Sequence, residues 1–292
     1  MTPLRQRMLE DMQVRNLSEH TQRCYLEQVA RFALFFRRSP EQLGPDEIRD
    51  YQVHLATDRK FAPATLSVIA AALRFIYKVT LRREWVELEI PRPKLPFQLP
   101  VILSPEEVAH FFESIASLKQ RTILMTAYSA GLRISEVTGL KITDIDSQRM
   151  MIRVNQGKGQ KDRYVMLSPR LLESLRVYWK KVRPAEWLFP GNIPGQPIRT
   201  HAVQRACQKA HRVSGIKKPI TPHSMRHCFA AHLLEMGTDV RRIQLLMGHR
   251  SLATTARYLK VATTTVCATA SPLDLLPRPD PIPSPPSPLV ES

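Results

Sequence analysis

Up to about residue 90, apolar residues recur at the spacing of one buried helix face. Ser18 can cap a helix in which Tyr25, Val29, Phe32, Ala33 and Phe36 fall on a single side. Pro45 opens a second helix carrying Ile48, Tyr51, Val53 and Leu55. Pro63 opens a third, with Leu66, Ile69, Leu73, Ile76 and Tyr77 as its stripe and Arg74 and Lys78 outside it. With a short helix over 3–14, the pattern predicts a small four-helix unit over 1–90.

The pattern then changes. Pro91, Pro93, Pro96 and Pro100 disfavour helix and predict a semi-rigid linker over 91–103. Over 104–270 the chain reads as mixed. Ser104-Pro105-Glu106-Glu107 is a capping-box start, and apolar residues through Tyr128 predict two helices. Ile152 and Val154 alternate with polar neighbours, and Tyr164-Val165-Met166-Leu167 is β-prone. Gly157-Lys158-Gly159 lies between them, so a β-hairpin with a basic tip is expected. Ser168-Pro169 caps the next helix, and helices fill most of 200–260. The last 22 residues, 271–292, hold eight prolines and predict a disordered tail. The expected fold is mainly α with a small β-sheet: a helical unit, a linker and an α+β unit.

Composition narrows the function. The longest wholly apolar run, Val68 to Leu73, is far too short to cross a bilayer, and no secretory signal is visible. Cys24, Cys207, Cys228 and Cys267 lack the clustered spacing of a disulfide framework or a zinc site, which suits reduced cysteines in the cytosol. Lys and Arg number 43 against 26 Asp and Glu, a formal charge of +17 that favours polyanions. Residues 1–90 are nearly balanced, with 14 basic and 12 acidic, whereas 104–270 carry 26 basic and 11 acidic. The second segment is therefore the expected grip on a phosphate backbone. Aromatics are only 7% and scattered, which favours duplex DNA over a single-strand stacking platform.

Candidate chemistry lies in that basic segment. In Thr221-Pro222-His223-Ser224-Met225-Arg226, Thr is a good N-cap and Pro the favoured first residue, so His223 and Arg226 share a face near a positive helix end. Taken alone, the fragment reads more simply as a surface His and Arg on an ordinary capped helix. His223 and His227 have the i, i+4 spacing of a zinc pair. Ser224 stands where a metalloprotease has Glu, no third ligand is obvious, and His227 reads better as a core or solvated side chain. Arg133 follows a glycine that can end a helix, with Ser135 and Glu136 placed to orient its guanidinium. Lys158, on a glycine turn, is ordinary by itself. So is Tyr258, whose phenol at an unperturbed pKa of about 10 needs cationic neighbours or a base before it attacks anything.

Together these residues are not ordinary. Gly-Leu-Arg133-x-Ser-Glu, the Gly-Lys158-Gly hairpin followed by Lys161-Asp162-Arg163, His223-x-x-Arg226-His, Leu-x-Gly-His249 and Tyr258 nine residues later stand in one order. That order resembles the tyrosine recombinase (integrase) family over roughly 104–260, and residues 15–85 resemble its helical, SAM-like core-binding domain. The resemblance implies a C-shaped clamp on DNA and a site-specific recombinase that cuts and rejoins duplex DNA through a 3′-phosphotyrosyl link. Tyr258 would be the nucleophile, Arg133 and Arg226 the phosphate clamp, and Lys158 the general acid, with Lys161 as its rival. His223 would accept the phenolic proton or orient the phosphate, and His249 would hydrogen-bond the transition state. It implies no metal, no ATP and no other cofactor, a homotetramer on two paired sites, no membrane partner and a cytoplasmic, nucleoid-associated enzyme of the Xer or mobile-element kind. Only Val261 to Ala270 follows the tyrosine before the proline-rich tail, and there is room for one N-terminal domain. A type IB topoisomerase or telomere resolvase would use the same chemistry, and a non-catalytic DNA-binding relic would keep the residues without it.

Overall fold

The computed structural model describes residues 2–260 except 86–89, 92, 95, 97–98 and 156–161. The basic hairpin tip with Lys158 and Lys161, part of the linker, and everything after Lys260 lie outside the described residues. The chain divides into two compact units, Met1–Gln98 and Leu99–Ser292. Among the described residues no helix is long and apolar enough to cross a membrane.

The first unit is helical: α1 (Pro3–Val14), α2 (Glu19–Phe36), α3 (Pro45–Thr57) and α4 (Pro63–Phe75), the last running into a π-helical turn, Ile76–Thr80. Local chemistry sets the starts. The Ser18 hydroxyl accepts the Thr21 amide, Glu47 accepts the Gly44 amide ahead of α3, and proline opens α1, α3 and α4. Phe32 centres the core, in ring contact with Phe36, Tyr51 and Tyr77, and the Tyr77 hydroxyl donates to the Pro40 carbonyl at 2.9 Å. One expected core residue is not there. Val53 is 50% exposed, because it lies two positions from both Tyr51 and Leu55, and residues two apart on a helix do not share a face.

The second unit contains α5 (Pro105–Glu113), α6 (Leu118–Ser129), the short α7 (Ile134–Thr138), α8 (Pro169–Val182), α9 (Thr200–Ser214), α10 (Pro222–Glu235), α11 (Val240–Met247) and α12 (Leu252–Ala256). A 3-10 turn, Arg257–Lys260, closes the described chain. The capping box before α5 forms as its sequence predicts, with Ser104 and Glu107 each accepting the other's amide. The sheet is antiparallel in the order β1 (Ile145–Asp146), β2 (Met151–Val154), β3 (Arg163–Met166). Ile152 pairs with Val165, and both are buried with Val154, whereas Tyr164 faces out at 58% exposure. The two-residue β1 has too few positions for alternation to reveal it. The mainly helical fold with a small sheet is the one the sequence predicts.

The two central helices explain where the site lies. α6 and α10 pack together, and α10 is buried on nearly every side, from Pro222 to His232. Past its exposed first-turn His223, such a helix cannot present its polar residues freely to bulk water. Arg226, His227 and His232 must find partners inside the protein.

Candidate active site

The site is assembled at chain reversals. α6 ends at Ala130, and Gly131 turns the backbone into the left-handed region at φ +61°, with the Leu132 amide bonded back to the Ala127 carbonyl. A Cβ at Gly131 would overlap the Phe229 ring of α10, so only glycine fits both the turn and the contact. Arg133 follows at once as the N-cap of α7. Gly131→Ala is expected to cost about 3 kcal/mol or more, combining left-handed strain with overpacking. Thermal unfolding measures it, and an unchanged midpoint would mean that Phe229 turns aside freely.

Glu136, one turn into α7, is 6% exposed and gathers three guanidinium groups. It accepts Arg133 Nη1 at 2.8 Å and the Arg133 amide at 2.8 Å. Arg163, at the start of β3, meets it in a two-pronged pair at 3.0 and 2.9 Å. Arg226 Nη1 lies 3.8 Å away. Burial alone would raise the Glu136 pKa; the hydrogen bond and charge of Arg163, then the amide and charge of Arg133, bring it below the usual carboxylate range.

Arg226 is 1% exposed and donates to the carbonyls of Gly131 and Met247. Desolvation and then the neighbouring Arg133 push its pKa down to about 10, which leaves it charged at neutral pH. Arg133 Nη2 reaches the Gly248 carbonyl at 3.5 Å, and Arg163 Nε reaches that of Leu246 at 3.0 Å. The three arginines therefore converge on the turn after α11. There Gly248 is left-handed at φ +59° and delivers His249, whose Nδ1 is 2.8 Å from the buried Thr255 hydroxyl. The His249 pKa is lowered to about 3, by desolvation first and then by Arg226 and Arg133.

Tyr258 enters from the closing 3-10 turn and is 2% exposed. Its hydroxyl lies 2.8 Å from Nδ1 of His227, not of His223. The His223 ring packs edge-on against His227 with centroids 4.3 Å apart. Both imidazoles are held neutral. Desolvation, then Arg226, lowers the His223 pKa, while desolvation, then His223 and Arg257, lowers that of His227 to about 4. Burial raises the Tyr258 phenol against the opposing pull of Arg226 and Arg257. Chemically, this is a cationic pocket for a tetrahedral oxyanion with a protonated phenol and neutral imidazoles at its edge. Among the described residues, no cluster of three or more His, Cys, Asp or Glu is placed to hold a metal.

Residues 102–265 match the phage integrase family, and residues 4–87 match the phage integrase N-terminal SAM-like domain. The chain belongs to the phage integrase, or tyrosine recombinase, family. This family member is 62% identical to the Sinorhizobium fredii protein y4qK, itself a candidate integrase/recombinase, over 99% of this chain and 94% of the relative. It is 31% identical to tyrosine recombinase XerC of Syntrophus aciditrophicus, over 85% of this chain and 89% of that one. Among solved structures it resembles XerA recombinase, with 28% identity, a TM-score of 0.54, and 94% and 98% of the two chains covered. The fold is also that of XerH bound to its difH substrate, with 23% identity, a TM-score of 0.68, and 88% and 83% covered.

Within this recombinase, Arg133, Arg226 and His249 meet around the Gly248 turn, and His223 and Tyr258 meet through His227. Lys158 lies outside the described residues. The sequence reading missed His227 and Arg163 as parts of the site. Both fall inside the motif stretches quoted from sequence, which was the available signal, but their partners lie 31 and 27 positions away and no local spacing reveals their roles.

Proposed function

We propose that this site-specific DNA recombinase cuts duplex DNA by attack of Tyr258 on a phosphodiester, giving a 3′-phosphotyrosyl link and a free 5′-hydroxyl. The same link is reversed to rejoin strands. The observation that carries the assignment is the convergence of Arg133, Arg226 and His249 on one turn, with the Tyr258 phenol buried against α10. Forked guanidinium donors suit the non-bridging oxygens of phosphate and supply the positive charge that a metal ion provides elsewhere. His249 hydrogen-bonds the transition state, His223 serves the phosphate, and Lys158 protonates the leaving 5′-oxygen, an alkoxide too basic to leave easily by itself. The phosphotyrosine conserves the bond energy, so rejoining needs no ATP.

In this reading residues 1–90 form the core-binding domain, 91–103 the linker, 104–270 the catalytic domain and 271–292 a tail. The enzyme works in the cytoplasm on the nucleoid, as a homotetramer holding two duplex sites, in the manner of Xer or mobile-element recombinases. The basic excess of 104–270 fits a partner that is a phosphate polymer.

The test is covalent capture. Nicked suicide duplexes made from DNA flanking the protein's own gene are expected to yield an SDS-resistant, protease-sensitive adduct. Tyr258→Phe should yield none while binding DNA as before. An adduct that persists in Tyr258→Phe would remove the nucleophile assignment, and strand exchange between two marked duplexes separates a recombinase from a topoisomerase.

A further inference from the structure

We infer that His227 is the base that takes the phenolic proton of Tyr258 as the phenol attacks phosphorus, leaving His223 to serve the phosphate. The inference rests on Tyr258 being the nucleophile, as proposed above. Tyr258 as a residue is 2% exposed and its hydroxyl lies against His227, which makes a protein group in contact the nearest acceptor for its proton. His227 Nδ1, at 2.8 Å, is in contact, and its ring stands between Tyr258, at a centroid distance of 5.7 Å, and His223, at 4.3 Å. That distance is within the reach required of a general base.

The groups acting on His227 are few. His223 and Arg226 come from its own helix, and Arg257 and the Tyr258 phenol from the closing turn. On the other elements packed against α10, the titratable groups are engaged elsewhere or face solvent. Tyr128 of α6 bonds His232, His211 of α9 bonds the Ile216 carbonyl, and Arg241 and Arg242 of α11 are exposed. His249, just past α11, bonds Thr255. His227 is thus neutral at physiological pH, with Nδ1 unprotonated and Nε2 carrying the hydrogen when it accepts from the phenol. Before DNA arrives it is a weak base, because burial and the nearby cations oppose its protonation. A phosphate seated between Arg133 and Arg226 brings negative charge that offsets those cations and strengthens the base at the moment it is needed.

The step balances. The Tyr258 O–H bond breaks and its proton moves to Nδ1, the phenolic oxygen bonds to phosphorus, and the bond from phosphorus to the 5′-oxygen breaks. The general acid protonates that oxygen. In rejoining, the 5′-hydroxyl returns its proton to the deprotonated general acid as its oxygen attacks phosphorus, and the departing phenol takes its proton back from Nδ1.

The experiment is single-turnover cleavage of the suicide duplex by the full chain from pH 6 to 10, with wild type, Tyr258→Phe, His223→Gln, His227→Ala and His227→Gln. DNA binding and melting are recorded for each. Both His227 variants are expected to cleave about a hundredfold more slowly at pH 7. Their deficit should shrink as pH rises toward the range where the phenol ionises unaided, while His223→Gln loses rate without changing the shape of the profile. Glutamine can still hydrogen-bond the phenol, so a purely structural role would be rescued by His227→Gln. Rescue by Gln, or His227 profiles parallel to wild type, overturns the assignment and leaves the proposed function standing. No adduct with wild type, or an adduct surviving in Tyr258→Phe, overturns the nucleophile reading, and the base assignment goes with it.

Discussion

Arg226→Ala is expected to slow strand cleavage by about a hundred- to a thousandfold, the cost of losing one prepaid donor to a developing oxyanion. The guanidinium is prepaid because the Gly131 and Met247 carbonyls hold it at 1% exposure, so little reorientation remains when phosphate arrives. The same burial makes the substitution structurally costly. Alanine leaves two carbonyls without this donor and a void where the largest fully buried side chain among the described residues stood, together worth a few kcal/mol. Arg226→Lys fills part of that space and keeps the charge but loses the fork, so it should recover stability more fully than rate. The discriminating measurement pairs single-turnover cleavage with duplex binding on protein shown by melting to be folded. Binding should fall little, since the 104–270 segment retains 25 other basic residues. Loss of binding in proportion to cleavage would contradict the role assigned to Arg226.

Glu136→Ala should have the largest effect on stability. One carboxylate at 6% exposure answers Arg133 and Arg163 directly and Arg226 at 3.8 Å. Removing it leaves three partly or fully buried cations facing one another, which costs about 3–5 kcal/mol. For a chain of this size that corresponds to a drop in melting temperature of roughly 6–20 °C. Its pH signature is also fixed. Because the folded-state pKa of Glu136 lies below its ordinary value, its contribution is fully present above the usual carboxylate range, about pH 4.3, and is lost as pH falls through the folded value. The difference in stability between wild type and variant should therefore narrow in acid. A constant gap from pH 7 down to pH 3 would show that packing, not charge, explains the loss.

Short-range chemistry made much of this molecule readable in advance. The caps at Ser18, Ser104 and Thr221 involve groups only three residues apart, and all three form as the sequence suggests. The apolar stripe of α4 likewise lies on the buried side, at Ile69 and Leu73. Arg133, His223, Arg226, His249 and Tyr258 each read as ordinary alone and became legible together, through the order of their short motifs and its resemblance to the tyrosine recombinase family. What stayed hidden depends on contacts across the fold. His227 looked like a core or solvated histidine, since nothing within a turn of it indicates that the phenol of Tyr258 arrives from 31 residues downstream. Arg163 stands in the Lys161-Asp162-Arg163 stretch after the hairpin tip, with no role assigned to it from sequence. Only pairing β2 with β3, Val154 opposite Arg163, and packing β3 against α11 bring it onto Glu136.

The junction at Glu136 also limits how the site can decay by descent. A lineage that ceased cutting DNA would feel no pressure to keep Arg133 or Arg226 for chemistry. Yet Glu136 could not drift first without leaving the cations facing one another, and Arg226 could not drift without stranding the Gly131 and Met247 carbonyls to which it donates. Decay would reach the carboxylate last, after the guanidinium groups that it answers. In this chain Glu136 keeps its bonds to Arg133 and Arg163 and lies 3.8 Å from Arg226, so a buried arginine such as Arg226 is by itself a poor gauge of whether selection for cutting has lapsed. Tyr258 is the better one: outside the charge cluster, its hydroxyl could be lost to phenylalanine for about 1–3 kcal/mol, the cost of leaving His227 Nδ1 without that partner, and it is still there.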